Sequence, residues 1–246
     1  MKQHEAVITT LEKLGGIATL GQLNQEVFKI KECEWKTKSP FASIRRIVQT
    51  NKDIYKIKPG LYGLLSYKKE NEAKGVVQET AQNKHSKEVT ESNHSYYQGL
   101  IITIGNLKNF QTYLPNQDRN KLFLTEKKLG DLSTLDKIPK YSYDNLVQRS
   151  STIDAIWFNE RMMPNSLFEV EHSTDIQNSL VKFNDLQDFN ARMIIVADNR
   201  RREEFEKKKN YAALKDIKTR VQFLDYEVLS KQYEQAIENQ HFAVLI

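Results

Sequence analysis

The sequence predicts an α/β protein, with a small helix-and-hairpin domain ahead of a larger mixed sheet flanked by helices. Apolar residues recur at helical spacing early in the chain and then alternate around Pro59-Gly60. Beyond about Ser95, helix-periodic segments interleave with short apolar runs such as AIWF and MIIV. Between these regions, KKENEAKGVVQETAQNKHSKEVTESN has no aromatic residue and few apolar ones, too little to offset its ordering entropy, so it reads as a linker or a solvated helix. The expected division is residues 1–67, a linker at 68–93, and 94–246. With 246 residues, 39% hydrophobic and 28% charged, the chain exceeds an average domain of ~150 residues and has ample core material.

The first domain opens on a helix in HEAVITTLEKLGG, with Ala6, Val7, Thr10, Leu11 and Leu14 at helical spacing and Gly15-Gly16 as its stop. LGQLNQEVF predicts a second short helix. A third begins at SPFASIRRIVQTN, with Ser39 as N-cap and Pro40 at the first helical position. Phe41, Ile44, Ile47 and Val48 form its inner face, Ser43, Arg46 and Gln49 point outward, and Arg45 lies at the boundary. DIYKIKPGLYGLL then predicts a hairpin. Three helices followed by a hairpin is the order of a winged helix-turn-helix.

In the second domain, SYYQGLIITIGNLKNF predicts a helix, QTYLP a strand and SYDNLVQRS another helix. TIDAIWFN and SLFEVEHS predict two strands separated by the turn ERMMPN. TDIQNSLVKFNDLQDF has helical period, with Ile176, Leu180, Phe183 and Leu186 on one face. ARMIIVAD predicts a buried strand, NRRREEFEKKKNYAAL a charged helix, VQFLDY a last strand and EVLSKQYEQAIEN a closing helix. Such an order describes a mixed sheet covered by helices.

Several classes are excluded. Lone Cys33 rules out a disulfide framework or a multi-cysteine zinc site and points to a reducing compartment. The N-terminus is charged from its second residue, unlike a secretory signal, and no apolar run approaches the ~20 residues of a membrane span, so a cytoplasmic address without membrane association is expected. The five histidines show no zinc-site spacing, His172 merely flanks an acid, and there is no glycine-rich phosphate loop. The run Arg200-Arg201-Arg202 reads as the solvated start of a charged helix.

Three acids stand out by position. Asp154 falls inside the apolar run TIDAIWF, and Glu169 and Glu171 fall inside LFEVEHS, two apart and so on one face. Burying unpaired carboxylates is expensive. Clustered, they repel one another unless a cation intervenes, and hard oxygen ligands suit Mg²⁺ or Mn²⁺. A metal so held can polarise a phosphoryl oxygen and acidify a bound water. The competing reading is that alternating Glu residues mark the solvated face of an antiparallel sheet.

The stretch IDAIWF…SLFEVEHSTDIQNSLVKFNDL resembles the PD-(D/E)xK nuclease superfamily, which includes most type II restriction endonucleases. The resemblance implies a restriction-endonuclease-like fold, with Asp154 as the first acid, Glu169 as the second and both as metal ligands. Glu171 stands where the family usually has Lys, an arrangement similar to the ExE variants, as a further ligand or an orienter of the water. Lys182 on the next helix is a candidate substitute for that Lys, with contact to solvent or phosphate as the other reading. Gln98 stands where many members carry a helix-borne acid, though an ordinary polar helix residue would look the same.

The first domain resembles the winged-helix modules attached to restriction and chromatin-associated proteins. That resemblance implies DNA contact by Lys36, Lys38, Ser39, Ser43, Arg45, Arg46 and Gln49, with Lys56, Lys58 and Tyr62 on the wing. Ordinary solvated residues of a protein-interaction module are the competing reading. Charge agrees with DNA contact: of the net +5, residues 1–68 carry +6, from 12 Lys and Arg against 6 acids. The expected function is therefore a type II restriction endonuclease, Mg²⁺-dependent (Mn²⁺ substituting), acting on double-stranded DNA, with a homodimer as the simplest way to cut both strands. The alternatives are a non-catalytic winged-helix regulator whose nuclease-like domain serves oligomerisation, favoured by the missing Lys, and a methylation-dependent endonuclease.

Overall fold

The computed structural model describes residues 1–124, 127–173 and 175–243, with side chains to residue 240. It divides into two compact units, Met1–Ser92 together with the chain from Ser230 onward, and Asn93–Leu229.

The first unit runs α1 (Gln3–Lys13), β1 (Ile17–Thr19), α2 (Leu20–Glu26), α3 (Pro40–Thr50), β2 (Ile54–Lys58), β3 (Leu61–Leu64) and α4 (Lys68–Ala73). Thr19 caps α2 reciprocally with Gln22, satisfying main-chain donors at the helix start. Gly60, with φ +71°, supplies the left-handed residue between β2 and β3. These strands pair antiparallel, and the sheet order is β1-β3-β2. The inner face of α3 is as its period predicts: Ile44 and Val48 are buried and Phe41 and Ile47 half-buried, while Arg45, Arg46 and Gln49 are exposed. Ser39 occupies the cap position of α3, but its hydroxyl makes no capping bond. Within residues 68–93, Asn71, Val76 and Val89 are buried, so a few well-placed side chains anchor an otherwise polar stretch.

The chain continues through α5 (Lys87–Leu107), β4 (Gln111–Tyr113), β5 (Leu122–Phe123), β6 (Lys127–Lys128), α6 (Leu129–Leu132), α7 (Asp144–Ser150) and β7 (Ala155–Phe158). It goes on as β8 (Pro164–Glu171), α8 (Ile176–Asn184), β9 (Arg192–Ala197), α9 (Arg202–Lys209), β10 (Val221–Asp225) and α10 (Tyr226–Ala243). In the second unit, five strands form one mixed sheet in the order β10-β9-β8-β7-β4. β8, β9 and β10 are parallel, joined by the crossovers that contain α8 and α9, while β7 and β4 are antiparallel additions. Strands covered on both faces read as continuous apolar runs, and AIWF and MIIV are such runs. The apolar stripe of α8, Ile176, Leu180 and Phe183, joins the core beside Ile156, Leu167 and Ile195, with Leu186 in the turn just after the helix. Among the described residues, no helix is long and apolar enough to cross a membrane.

α5 lies tight against the sheet because Gly105 has no side chain. A Cβ there would stand 2.5 Å from Trp157 Nε1, the atom that donates to the Ile101 carbonyl at 3.1 Å. Gly105→Ala is therefore expected to destabilise the chain by about 1–3 kcal/mol through overpacking, measured by urea unfolding; unchanged stability would show that the indole moves aside freely.

Candidate functional site

The sequence expectation put Asp154 inside a strand, but β7 begins one residue later. The Asp154 carboxylate takes the place of a main-chain rung: Oδ2 accepts the Val170 amide of β8 at 2.8 Å. The antiparallel register, Ala155 opposite Phe168, brings Asp154 beside Glu169, whose Oε1 lies 3.4 Å from the Asp154 amide. Asp154, Glu169 and Glu171 are all buried, which sets aside the solvated-face reading.

Buried carboxylates need partners, and α8 provides them. Lys182 Nζ donates to Glu169 Oε2 at 2.8 Å, to Glu169 Oε1 at 3.0 Å and to the Thr152 carbonyl at 3.1 Å. Ser179, one turn earlier on the same face, sets its hydroxyl between Glu169 (2.8 Å) and Glu171, its single proton serving one carboxyl at a time. Arg201 stands 3.8 Å from Glu171 and also pairs with Glu204 at 2.9 Å.

On the other side of Asp154 lies α5. His94 and Gln98, four apart and so on one helix face, both reach it. His94 Nε2 is 3.2 Å from Asp154 Oδ2. Gln98 Nε2 donates to the Asp154 carbonyl at 2.7 Å and to Asp118 Oδ2 at 2.9 Å, while Lys121 Nζ is 2.6 Å from Asp118 Oδ1. His94, Asp118 and Asp154 each offer a ligand atom within 4.8 Å of the others. Two buried polar atoms in this cluster, His94 Nδ1 and Gln98 Oε1, have no hydrogen-bond partner among the described residues. Two carboxylates and an imidazole converging in this way fit a divalent cation.

Environment drives the two neighbouring acids apart. Burial raises the Asp154 carboxyl, but the His94 imidazole, the Val170 amide and Lys182 outweigh it and hold Asp154 below the usual carboxylate range. Glu169 is pushed well above its ordinary value, by burial first and by the Asp154 carboxylate second, against the pull of Lys182 and Ser179. For Lys182 burial favours the neutral amine, yet Glu169 and Asp154 prevail and hold it above the usual lysine value. His94 follows the same logic, its burial outweighed by Asp154 and Asp118 so that its pKa rises. Separated acid strengths within one cluster are a mark of sites that handle protons and charge.

Gln98, Asp154, Glu169, Glu171 and Lys182 are thus brought together. Sequence reasoning missed His94, Asp118, Lys121 and Ser179; the one available signal was the i, i+4 pairing of His94 with Gln98. His172 instead bonds Asn93, with Asn93 Nδ2 3.0 Å from its Nδ1. In the first unit, Lys36, Lys38, Ser39, Arg45, Arg46, Gln49 and Lys56 are exposed and Ser43 is half-buried. Lys36 pairs with Glu34 at 3.2 Å and Arg45 with Glu234 at 2.7 Å. Lys58 and Tyr62 sit otherwise than a displayed wing requires. Both are buried, and Lys58 Nζ bonds Ser92 Oγ at 2.9 Å, because β2 turns that side chain inward after the register shift between Lys56 and Lys58.

A family model described as the type II restriction enzyme NmeDI C-terminal domain matches residues 75–244. The curated type II restriction enzyme NmeDI of Neisseria meningitidis serogroup C is 31% identical over 155 residues, covering 58% of this chain and 43% of that protein. The match thus spans less than half the length of that relative. No solved structure matches the chain.

Proposed function

The chain belongs to the family of the type II restriction enzyme NmeDI C-terminal domain, and from that premise we propose a Mg²⁺-dependent, sequence-specific endonuclease of double-stranded DNA, of PD-(D/E)xK type, with Mn²⁺ able to substitute. The observation that carries this reading is the meeting of Asp154, Glu169 and Lys182 where β7 begins beside the end of β8, two buried carboxyls with an ammonium 2.8 Å from one of them. Lys182 on α8 would supply the cation that the strand lacks at Glu171, which weighs against a non-catalytic regulator.

Asp154 and Glu169 would hold the metal, which supplies polarisation of a phosphoryl oxygen and a more acidic water. Lys182, bonded to Glu169, carries a charge suited to a phosphate or to the attacking water, and Ser179 orients Glu171 beside it. In the first unit, the exposed Lys38, Arg46 and Gln49 on and before α3, with Lys56 on β2, support a winged-helix reading in which α3 meets the major groove. The family match begins at residue 75, so this part of the reading rests on the unit's own fold and charge. One centre per chain and two strands to cut call for two copies or two successive nicks, and a homodimer on a palindromic site is the simpler arrangement.

Plasmid DNA incubated with the protein and Mg²⁺ is expected to give discrete fragments that EDTA suppresses. Intact DNA retarded in a gel, with and without Mg²⁺, would favour the regulator instead; fragments from methylated DNA alone would identify a modification-dependent enzyme.

A further inference from the structure

We propose that the metal centre is completed from the α5 side, as a mixed nitrogen–oxygen site of His94, Asp118 and Asp154 with the Gln98 carbonyl oxygen beside it, and that it prefers Mn²⁺ to Mg²⁺. The inference deepens the nuclease reading, on which its catalytic meaning rests, but metal binding itself is measurable without DNA.

Four observations support it. The three residues converge from separate elements, α5, the loop after β4 and the start of β7, with ligand atoms within 4.8 Å of one another. Gln98 is fully buried, its amide head is pinned by Nε2 between Asp118 Oδ2 and the Asp154 carbonyl, and its Oε1 has no hydrogen-bond partner among the described residues. Turning the amide over would set Oε1 against two acceptors, so the hydrogen bonds fix its sense. The His94 ring turns Nε2 toward Asp154 at 3.2 Å, and that nitrogen is the one a cation beside Asp154 would take. Finally, the ammonium paired with Asp118, that of Lys121, has a 37% exposed side chain, so a cation entering the cluster can take its place.

The donor set decides the preference. Mg²⁺ seeks oxygen ligands and gives up water reluctantly, while imidazole suits the first-row transition ions, among which Mn²⁺ also accepts carboxylate and carbonyl oxygens. Asp154 belongs to both sides and keeps its role.

The test is Mn²⁺ titration of the full chain without DNA, with free Mn²⁺ followed by electron paramagnetic resonance and bound Mn²⁺ examined by pulsed methods for coupling to ¹⁴N. Wild-type protein is expected to bind Mn²⁺ about tenfold or more tightly than Mg²⁺, with a histidine nitrogen coupled to the ion. His94→Ala should abolish that coupling and weaken binding about tenfold or more, the scale of losing a metal-site interaction. His172→Ala should leave the coupling in place. Asp118→Asn provides a second variant, expected to weaken binding similarly while His94 still couples. Bound Mn²⁺ without a nitrogen signal, a signal that survives His94→Ala in a folded protein, or equal affinity for Mg²⁺ would overturn the proposal. DNA cleavage with no nitrogen coupling would overturn it and leave the nuclease reading standing, whereas nitrogen-coupled Mn²⁺ with no cleavage of any DNA would do the reverse.

Discussion

Replacing Lys182 by methionine is expected to lower DNA cleavage about a thousandfold, the scale seen when one preorganised group that stabilises transition-state charge is removed. The side chains are of similar length, so α8 keeps its apolar packing and what disappears is the ammonium. Its loss leaves Glu169, which is fully buried and already the weaker of the two neighbouring acids, with the Ser179 hydroxyl and a long contact to the Asp154 amide. The carboxyl then takes up a proton more readily, which weakens it as a metal ligand as well as removing the charge that would face the phosphate. Glu169→Gln should give a loss of similar size. The double variant should be scarcely worse than either single one, because groups that act as a unit lose their effect together. Single-turnover cleavage of a short duplex containing the recognition site, alongside gel retardation of the same duplex, separates chemistry from binding. Cleavage by Lys182→Met within a factor of about ten of wild type, with DNA binding intact, would leave this lysine only a charge-balancing role. Full loss in Glu169→Gln with near-normal cleavage in Lys182→Met would place the chemistry on the acids alone.

The parts of this site legible in the sequence are those where a local rule is broken. A charge within an apolar run is such a break, and it marks Asp154, Glu169 and Glu171 without any knowledge of what they face. Lys182 is less legible: on a helix, a lysine at the edge of an apolar stripe is ordinary, and only the register of α8 against β8 shows Nζ reaching Glu169. His94, Asp118 and Ser179 break no rule. Each is polar in a polar or amphipathic segment, and each acquires meaning from a partner distant in the chain. The architecture follows the same division. Strands covered on both faces announce themselves as apolar runs, α3 and α8 announce themselves by period, and the turn ERMMPN announces the antiparallel pairing of β7 with β8, while the place of β4 beside β7 depends on pairing that no local pattern encodes. The wing residues show the converse failure. Alternation in DIYKIKPG gives the strand and puts both lysines outward, but the register shift between Lys56 and Lys58 turns Lys58 inward while Lys56 stays exposed, a reversal for Lys58 alone.

That reversal has a large expected cost. The Lys58 amine is buried in the first unit, and burial pushes its pKa down to about 7, with Glu79 opposing the fall. In the unfolded chain the same amine keeps a value near 10.5. Between those two values the unfolded state binds more protons, so stability rises with pH across the window and is lowest below pH 7, where the amine is charged in both states. The slope is at most about 1.4 kcal/mol per pH unit, so wild-type protein should gain on the order of 2 kcal/mol between pH 7 and pH 9 from this group. Lys58→Met removes the charge while keeping a flexible chain of similar length, at the loss of the hydrogen bond to Ser92 and of the attraction of Glu79. A neutral hydrogen bond is worth about 1 kcal/mol, less than the cost of confining the ammonium, so the variant should be more stable than wild type at pH 7 by about 2–3 kcal/mol. Urea unfolding of both proteins at pH 6, 7, 8 and 9 measures this directly: the gap should be widest at pH 6 and shrink steadily to pH 9. A gap that stays constant with pH would mean that the amine is solvated in the folded chain, and a less stable variant at pH 6 would mean that it is held there as a favourable ion pair. The same variant bears on function, because a phosphate-contacting lysine sets the salt dependence of DNA binding. With Lys58 withdrawn from the surface, Lys58→Met should leave that dependence unchanged, and a shallower salt slope would return Lys58 to the wing.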